Sequence, residues 1–475
     1  MEEKVFFEKM VTKENIKNVF DEYIALKTDN LTEENKVKVP KGLDNTDYNL
    51  FQKTLPHQVD MIFKRIRRGN YFFYPLREIE ISKDPQLNIK EAKKLGKTRV
   101  LSIATIRDVI TQKMLYDFLS PITEKEFSQL PYVSFAYRKN VNAQKAAQKV
   151  YKELNEGYVY ALDADLKGFF DTIPHDKLYD QIQIFFNDMP KIQKILYRFI
   201  HVDKGYKRKN RNRIIRVKRK EGIPQGGIIS GMLANIYLHQ FDRWVISALK
   251  AKYNIRYTRY ADDFIILAKS EDDIIKVKEE CEKYLDSIEL ILHPNPEKTK
   301  ISKVNSKKGI DFVGFTISKS NIGIKKSNVL KFQKRIEDIL KTTDFSKRKA
   351  LELLKLRLSY KYFGNDYKKF KCKNCGEFEK TRNWMRFFLI ITDYNQLKML
   401  DNWVYKSINF YYFQATGKRL PKKHLKKLDF PSLEKLYYEY RKQLKKETKS
   451  CKCTIMDKVL YATEDPYKEL FNIYS

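Results

Sequence analysis

Two apolar runs, Ile255–Tyr257 and Phe264–Leu267, enclose Tyr260-Ala261-Asp262-Asp263. The pattern calls for a hairpin whose tip carries two adjacent carboxylates. Such a tip is costly, because like charges repel and apolar walls strip away their water. A divalent cation removes the cost by neutralising both. Successive strand residues point to opposite faces, so the turn must re-aim one carboxylate if both are to reach an ion. Read alone, the tetrapeptide is an ordinary surface turn, since Asp is common in turns.

A second acidic cluster, YVYALDADLKGFFD, spans Tyr158–Asp171. Tyr158–Leu162 reads as a buried strand, and alternation puts Asp163 and Asp165 on one face. Gly168 permits a turn before Phe169-Phe170, and a helix is expected after Pro174. Between the clusters, Glu221–Leu238 (EGIPQGGIISGMLANIYL) contains the loop Pro224-Gln225-Gly226-Gly227, which lets backbone approach a ligand. Gln225 offers paired amide groups to a nucleotide or a backbone. Ile229, Leu233 and Ile236 share one face of the helix that follows and read as plain packing. A strand-end carboxylate that meets a hairpin carrying two more can hold two Mg²⁺ ions, the arrangement for in-line phosphoryl or nucleotidyl transfer. There one ion acidifies an attacking hydroxyl and the other steadies a pyrophosphate leaving group.

The charge agrees with such a substrate. At 475 residues the chain exceeds one compact core and implies two to four domains or subdomains. Its formal charge of +34 calls for a polyanionic partner. The 94 Lys and Arg accompany 31 Tyr and 30 Phe; basic side chains hold phosphates, and aromatic faces stack on unpaired bases. No apolar run has the length of a membrane span, and MEEKVFFEKM lacks the basic flank and apolar core of a signal peptide. Five Cys in so large a chain fit the reducing cytoplasm better than disulfides. The expectation is a cytoplasmic protein with no membrane partner.

Asp165-Leu-Lys-Gly-Phe-Phe-Asp171, Pro224-Gln-Gly-Gly and Tyr260-Ala-Asp-Asp, in that order, resemble motifs A, B and C of reverse transcriptases, most closely the bacterial branch with group II intron enzymes. Gly69–Lys83 and Gly96–Gln112 resemble that branch's fingers blocks, His293–Lys300 (HPNPEKTK) its motif D, and Phe312–Phe315 (FVGF) the block after it. The resemblance covers residues 40–320 in order and extends more loosely to about 445. It implies a right-hand polymerase of the α/β (α+β) class, with fingers and palm followed by an α-helical thumb. It also implies an RNA-directed DNA polymerase, a nucleotidyltransferase that consumes dNTPs, reads an RNA template and makes DNA. Asp165, Asp262 and Asp263 would bind two Mg²⁺, with the Leu166 carbonyl as a further ligand. Phe170 falls where the family places its steric gate, a ring that clashes with a ribose 2′-hydroxyl. Lys97 and Arg99 match residues that approach the triphosphate, and Gln225 and Gly226 would line the nucleotide pocket. Lys298 is placed to protonate the leaving pyrophosphate, with Lys300 as its competitor. Asp163 reads as a supporting acid.

The expected organisation is an N-terminal helical extension over 1–60, fingers over 61–155, palm over 156–324, a helical thumb over 325–445 and a tail over 446–475. Tyr71–Pro75 and Arg99–Ile103 read as short strands and Val109–Leu119 as a helix. The basic insertion 204–220 (KGYKRKNRNRIIRVKRK) reads as a hairpin over the template–primer duplex.

The chain departs from the branch in places. Group II enzymes usually have Ser-Pro after the glycines; here Ser230-Gly231 stands, which frees a backbone angle and would loosen the helix start. Their fingers often read FRPG; here Phe135-Ala136-Tyr137-Arg138-Lys139 stands. Asn142-Ala143 resembles part of a retron block that continues with His, but position 146 is Ala. With no HNH-type nuclease signature in view, the outline resembles free-standing bacterial enzymes that serve antiviral (antiphage) defence with a companion non-coding RNA. The rivals are an intron-encoded reverse transcriptase with maturase activity and an RNA-binding protein with a vestigial site. Cys372, Cys375, Cys451 and Cys453 have the makings of a four-thiolate Zn²⁺ site, or are simply free thiols. A tyrosine such as Tyr474 could act as a protein primer. The oligomeric state is open.

Overall fold

The computed structural model describes residues 2–25, 39–84, 87–130, 132–207, 214–363 and 384–446. The first sheet opens with β1 (Leu76–Ser82) and β2 (Thr98–Ile103), an antiparallel pair with Ile81 opposite Arg99. The strand expected over Tyr71–Pro75 does not form. The Tyr74 N–H donates to the buried Asp108 carboxylate (3.0 Å), and Arg198 donates to the Gly69 and Tyr71 carbonyls (3.0 and 3.1 Å). Side chains have taken the bonds a ladder needs. The helix expected over Val109–Leu119 extends over Ile106–Phe127, capped by Thr105.

β3 (Tyr160–Asp165) begins two residues later than expected and runs on to the acid. The basic insertion forms β4 (Lys204–Lys207) and β5 (Ile214–Val217), an antiparallel pair. β4 also pairs parallel to β1, giving the order β2-β1-β4-β5, so the insertion extends the first sheet.

β6 (Ile255–Tyr260) and β7 (Asp263–Ala268) form the expected hairpin, and β8 (Lys300–Lys303) completes an antiparallel central sheet, β6-β7-β3-β8. β9 (Ile310–Phe312), β10 (Phe315–Ile317) and β11 (Ile322–Ile324) make a small antiparallel meander. The helices Lys326–Lys341, Ala350–Phe363, Asn395–Thr416 and Leu433–Lys446 then follow.

The central sheet divides two hydrophobic cores. Leu162, Ala164, Phe264 and Ile266 face one core, which also holds residues of the helices Ile106–Phe127, Ser230–Trp244 and Glu271–Ser287. Ala161, Ile265 and Leu267 face the other, with the helix Ala143–Asn155, the meander and the C-terminal helices. Strand alternation produces this division, since neighbours in β3 and β7 point to opposite sides. The Asn142 side chain accepts the Lys145 N–H (2.9 Å) and caps the Ala143–Asn155 helix, so the residue that resembles a retron block works as an N-cap.

Candidate active site

Strand register assembles the acids. Asp165 lies directly opposite Asp263 across the β3–β7 ladder, and Asp163 lies opposite Ile265 on the same face. Asp262 belongs to the two-residue turn, Ala261-Asp262, that joins β6 to β7. Ala261 has φ +56°, left-handed backbone that costs an L-residue about 1–2 kcal/mol. The re-aiming expected of the turn is therefore carried by Ala261.

Arg259 holds that conformation. Its guanidinium is buried and donates to the Ala261 carbonyl (3.0 Å), to Asn235 Oδ1 (3.0 Å) and, through two nitrogens, to Asp242. The Tyr257 hydroxyl donates to the same Asp242 carboxylate (2.7 Å). Sequence reasoning missed this network. Its signal was a cation, Arg259, between the buried Thr258 and Tyr260 of the hairpin strand, and an acid, Asp242, on a helix whose neighbours Leu238 and Phe241 are core residues.

Asp165 is buried, and Asp262 and Asp263 are half-buried. Burial first, then the Asp165 charge, pushes Asp262 up to about 6. Burial and the charges of Asp262 and Asp165 push Asp263 well above the usual carboxylate range. The Lys298 ammonium pairs with Asp165. Burial draws Lys298 down, but Asp165 outweighs it, aided by Asp263 and Asp262, and holds the lysine above its ordinary value. Lys300 instead pairs with Asp163 at 3.5 Å. Asp163 is pushed up to about 6, by burial against the opposing pull of Lys300.

Among the described residues no three carboxyl, imidazole or thiol groups converge as an ion site in this arrangement. The chemistry of the acids nevertheless fits a hard dication. Oxygen donors raise one another's proton affinity on one sheet face, and the cation drawn to them is a lysine. The Leu166–Leu292 bridge leaves the Leu166 carbonyl outside its two bonds, Lys167 N–H to the Ile291 carbonyl (2.9 Å) and His293 N–H to the Asp165 carbonyl (2.7 Å).

The Pro224–Gly227 loop lies against the first sheet, where the Ser102 N–H donates to the Gln225 carbonyl (2.8 Å). Gly226 has φ +101°, a conformation that favours glycine. The Gln225 amide donates to Asp171 (3.1 Å). Both border a cavity of about 360 Å³ that Ser102, Lys204, Arg219 and Lys220 also line. Arg219 is buried and pairs with Glu78 at 3.1 Å; sequence reasoning gave this arginine no separate place within the insertion. Arg99 lies on the opposite face of the first sheet from Val100 and Ser102, two residues that line this cavity, and the exposed Lys97 immediately precedes β2. Phe170 is half-buried, beside the buried Phe169. The helix after the loop begins at Ser230, whose hydroxyl donates to the Pro224 carbonyl (2.7 Å), so Gly231 does not loosen its start. Cys281 is a buried free thiol; Cys372, Cys375, Cys451, Cys453 and Tyr474 lie outside the described residues.

A central sheet with three aspartates at one end of its inner strands, an adjoining lysine, and a glycine loop set against a second sheet match the layout expected of a right-hand polymerase. Residues 89–317 match the reverse transcriptase (RNA-dependent DNA polymerase) family, and the chain carries that domain. It is 28% identical over 309 residues to protein YkfC of Escherichia coli, an alignment covering 58% of this chain and 74% of that protein. It is 27% identical over 335 residues to the group II intron-encoded protein LtrA of Lactococcus lactis, covering 58% of this chain and 52% of LtrA. It is 23% identical over 181 residues to the retron Ec86 reverse transcriptase of Escherichia coli, covering 38% of this chain and 45% of that enzyme. The chain thus carries a reverse transcriptase domain related in sequence to the group II intron enzymes. Among the described residues, no helix is long and apolar enough to cross a membrane.

Proposed function

We propose that this chain extends a 3′-hydroxyl with dNMP units in a magnesium-dependent, two-metal reaction, copying a structured non-coding RNA. The observation that carries the reading is the register of Asp165 against Asp263, with Asp262 on the adjoining turn. Mg²⁺ held by these three acids would supply the charge that acidifies an attacking hydroxyl and stabilises departing pyrophosphate. Lys298 lies beside the same carboxylates with its proton in place and delivers it to the leaving group. Gln225 and Gly226 border the incoming nucleotide, Phe170 opposes its 2′ position, and Lys97 and Arg99 approach the triphosphate. These roles rest on the motif resemblance. The subdomain limits are those read from the sequence, except that the helix Leu55–Arg67 crosses the limit at residue 60.

Replacing Asp262 and Asp263 with Ala is expected to abolish dNTP incorporation and leave RNA affinity intact. Incorporation that survived would sink the reading. The setting we assign is bacterial antiphage defence in the cytoplasm, supported by the outline the chain shares with free-standing enzymes of that kind. The kinship with LtrA favours a second setting, intron mobility with maturase activity. Sequencing the RNA and DNA that copurify with the protein separates them: a short neighbouring non-coding RNA supports defence, and a spliced intron overturns it.

A further inference from the structure

Gly231 and the Phe135–Lys139 segment, nearly a hundred residues apart in sequence, meet in space. Gly231 is buried in the helix after the glycine loop, and the Tyr137 ring lies on it. A Cβ at position 231 would stand 2.4 Å from Tyr137 Cγ and Cδ1, a distance no side chain tolerates. Proline or alanine there would evict the ring. Tyr137 itself has φ +55°, and its neighbour is pinned, because the Asn235 amide donates to the Ala136 carbonyl (2.7 Å). Backbone and helix together fix where the ring goes. It goes against Phe170, edge to face, with centroids 6.2 Å apart and planes at 78°. Phe170 is also flanked by Phe169 at 5.6 Å, so its ring is bracketed by two others.

We propose that Tyr137, seated on Gly231, is a positioning residue that holds the Phe170 ring in place and thereby sets how strongly the enzyme rejects ribonucleotides. The proposal rests on the reading of Phe170 as the sugar gate. Without Tyr137, Phe170 has open space on one side and can swing away from a 2′-hydroxyl. Tyr137 and Gly231 then act as one unit: the glycine makes room for the ring, and the ring restrains the gate.

The test is the ratio of kcat/KM for a dNTP to that for the matching rNTP, measured on the full-length enzyme with Mg²⁺ and a primed RNA template. Tyr137→Ala is expected to lower the ratio about tenfold, and Tyr137→Phe, which keeps the ring that meets Phe170, to lower it less. Gly231→Ala is expected to lower the ratio when Tyr137 is present and to add nothing in the Tyr137→Ala background. Thermal melts of each variant establish that the compared enzymes are folded. Phe170→Ala serves as the control for the gate. If it loses discrimination while Tyr137→Ala keeps the wild-type ratio, the proposal is overturned and the gate stands. If Phe170→Ala also keeps the ratio, the gate reading fails and takes the proposal with it. Gly231→Ala acting equally in both backgrounds likewise overturns the coupling.

Discussion

Arg259 and Asp242 form a buried, two-point ion pair, and the guanidinium of the same arginine also holds the Ala261 carbonyl at the turn that carries Asp262. The pair joins the helix Ser230–Trp244 to the aspartate hairpin. A buried pair of this kind is weak evidence for stability as a whole, because desolvating both ions opposes their attraction. Breaking one partner is another matter, since it strands a charge.

Arg259→Met is accordingly expected to cost about 3–5 kcal/mol in denaturant unfolding. The double variant Arg259→Met, Asp242→Leu should recover only part of that stability, because the buried Tyr257 hydroxyl loses its acceptor, and little of the dNTP incorporation, because the Ala261 carbonyl still lacks its donor. A double variant that regained wild-type incorporation would deny the pair any part in shaping the turn.

Lys298→Met is expected to lower single-turnover incorporation by about 10²-fold, the low end of what a positioned proton donor contributes. Lys300→Met should lower it far less, because that ammonium meets Asp163 and not Asp165. Equal losses would show that both lysines serve the reaction alike.

Stability should fall with acid through His239. The ring lies among Phe127, Phe185 and core residues, and burial pulls its pKa from 6.5 down to about 4. The fold therefore keeps the imidazole neutral while the unfolded chain accepts a proton. Its contribution is intact above pH 6.5 and is lost as pH falls through 4, up to about 3 kcal/mol. A His239→Met variant, compared with wild type over pH 7.5 to 4.5, should lose less stability on acidification. Parallel curves would remove His239 as a cause.

Neutralising Arg216, Lys218 and Lys220, all exposed on or beside the cavity rim, should weaken RNA binding and flatten its salt dependence. For every phosphate that the variant no longer neutralises, the slope of log K against log salt should shrink by about 0.7–0.9. An unchanged affinity and slope would make the insertion a structural extension of the first sheet and nothing more. Arg219 is left in place because it is buried against Glu78.

Metal analysis of the purified protein addresses Cys372, Cys375, Cys451 and Cys453. Zinc near one equivalent is expected if these thiolates form a site; none would leave them as free thiols.

What the sequence disclosed was what adjacency or strict periodicity encodes. Asp262-Asp263 announces a turn and a charge problem together, and period-two alternation alone puts Asp163 and Asp165 on one face. The unread features join residues that no local rule connects. Asp108 takes the Tyr74 N–H from 34 positions away and so cancels a strand whose composition was persuasive. β4 finds β1 as a parallel partner across more than a hundred residues, and nothing in KGYK specifies that edge. Gly231 reads locally as a loosened helix start because its reason, the Tyr137 ring, is supplied by a distant segment.

The division of β7 between two cores has a consequence for errors. Ile265 and Leu267 answer to one core, and Phe264 and Ile266 to the other. Sliding the strand by one position would exchange every assignment at once, offering each core the wrong side chains while carrying Asp263 away from Asp165. The alternation therefore works as a parity check. A chain that pairs β7 out of step fails in its interior before it can present a mis-set catalytic edge, and a one-residue deletion in Phe264–Leu267 should leave no half-active enzyme to detect.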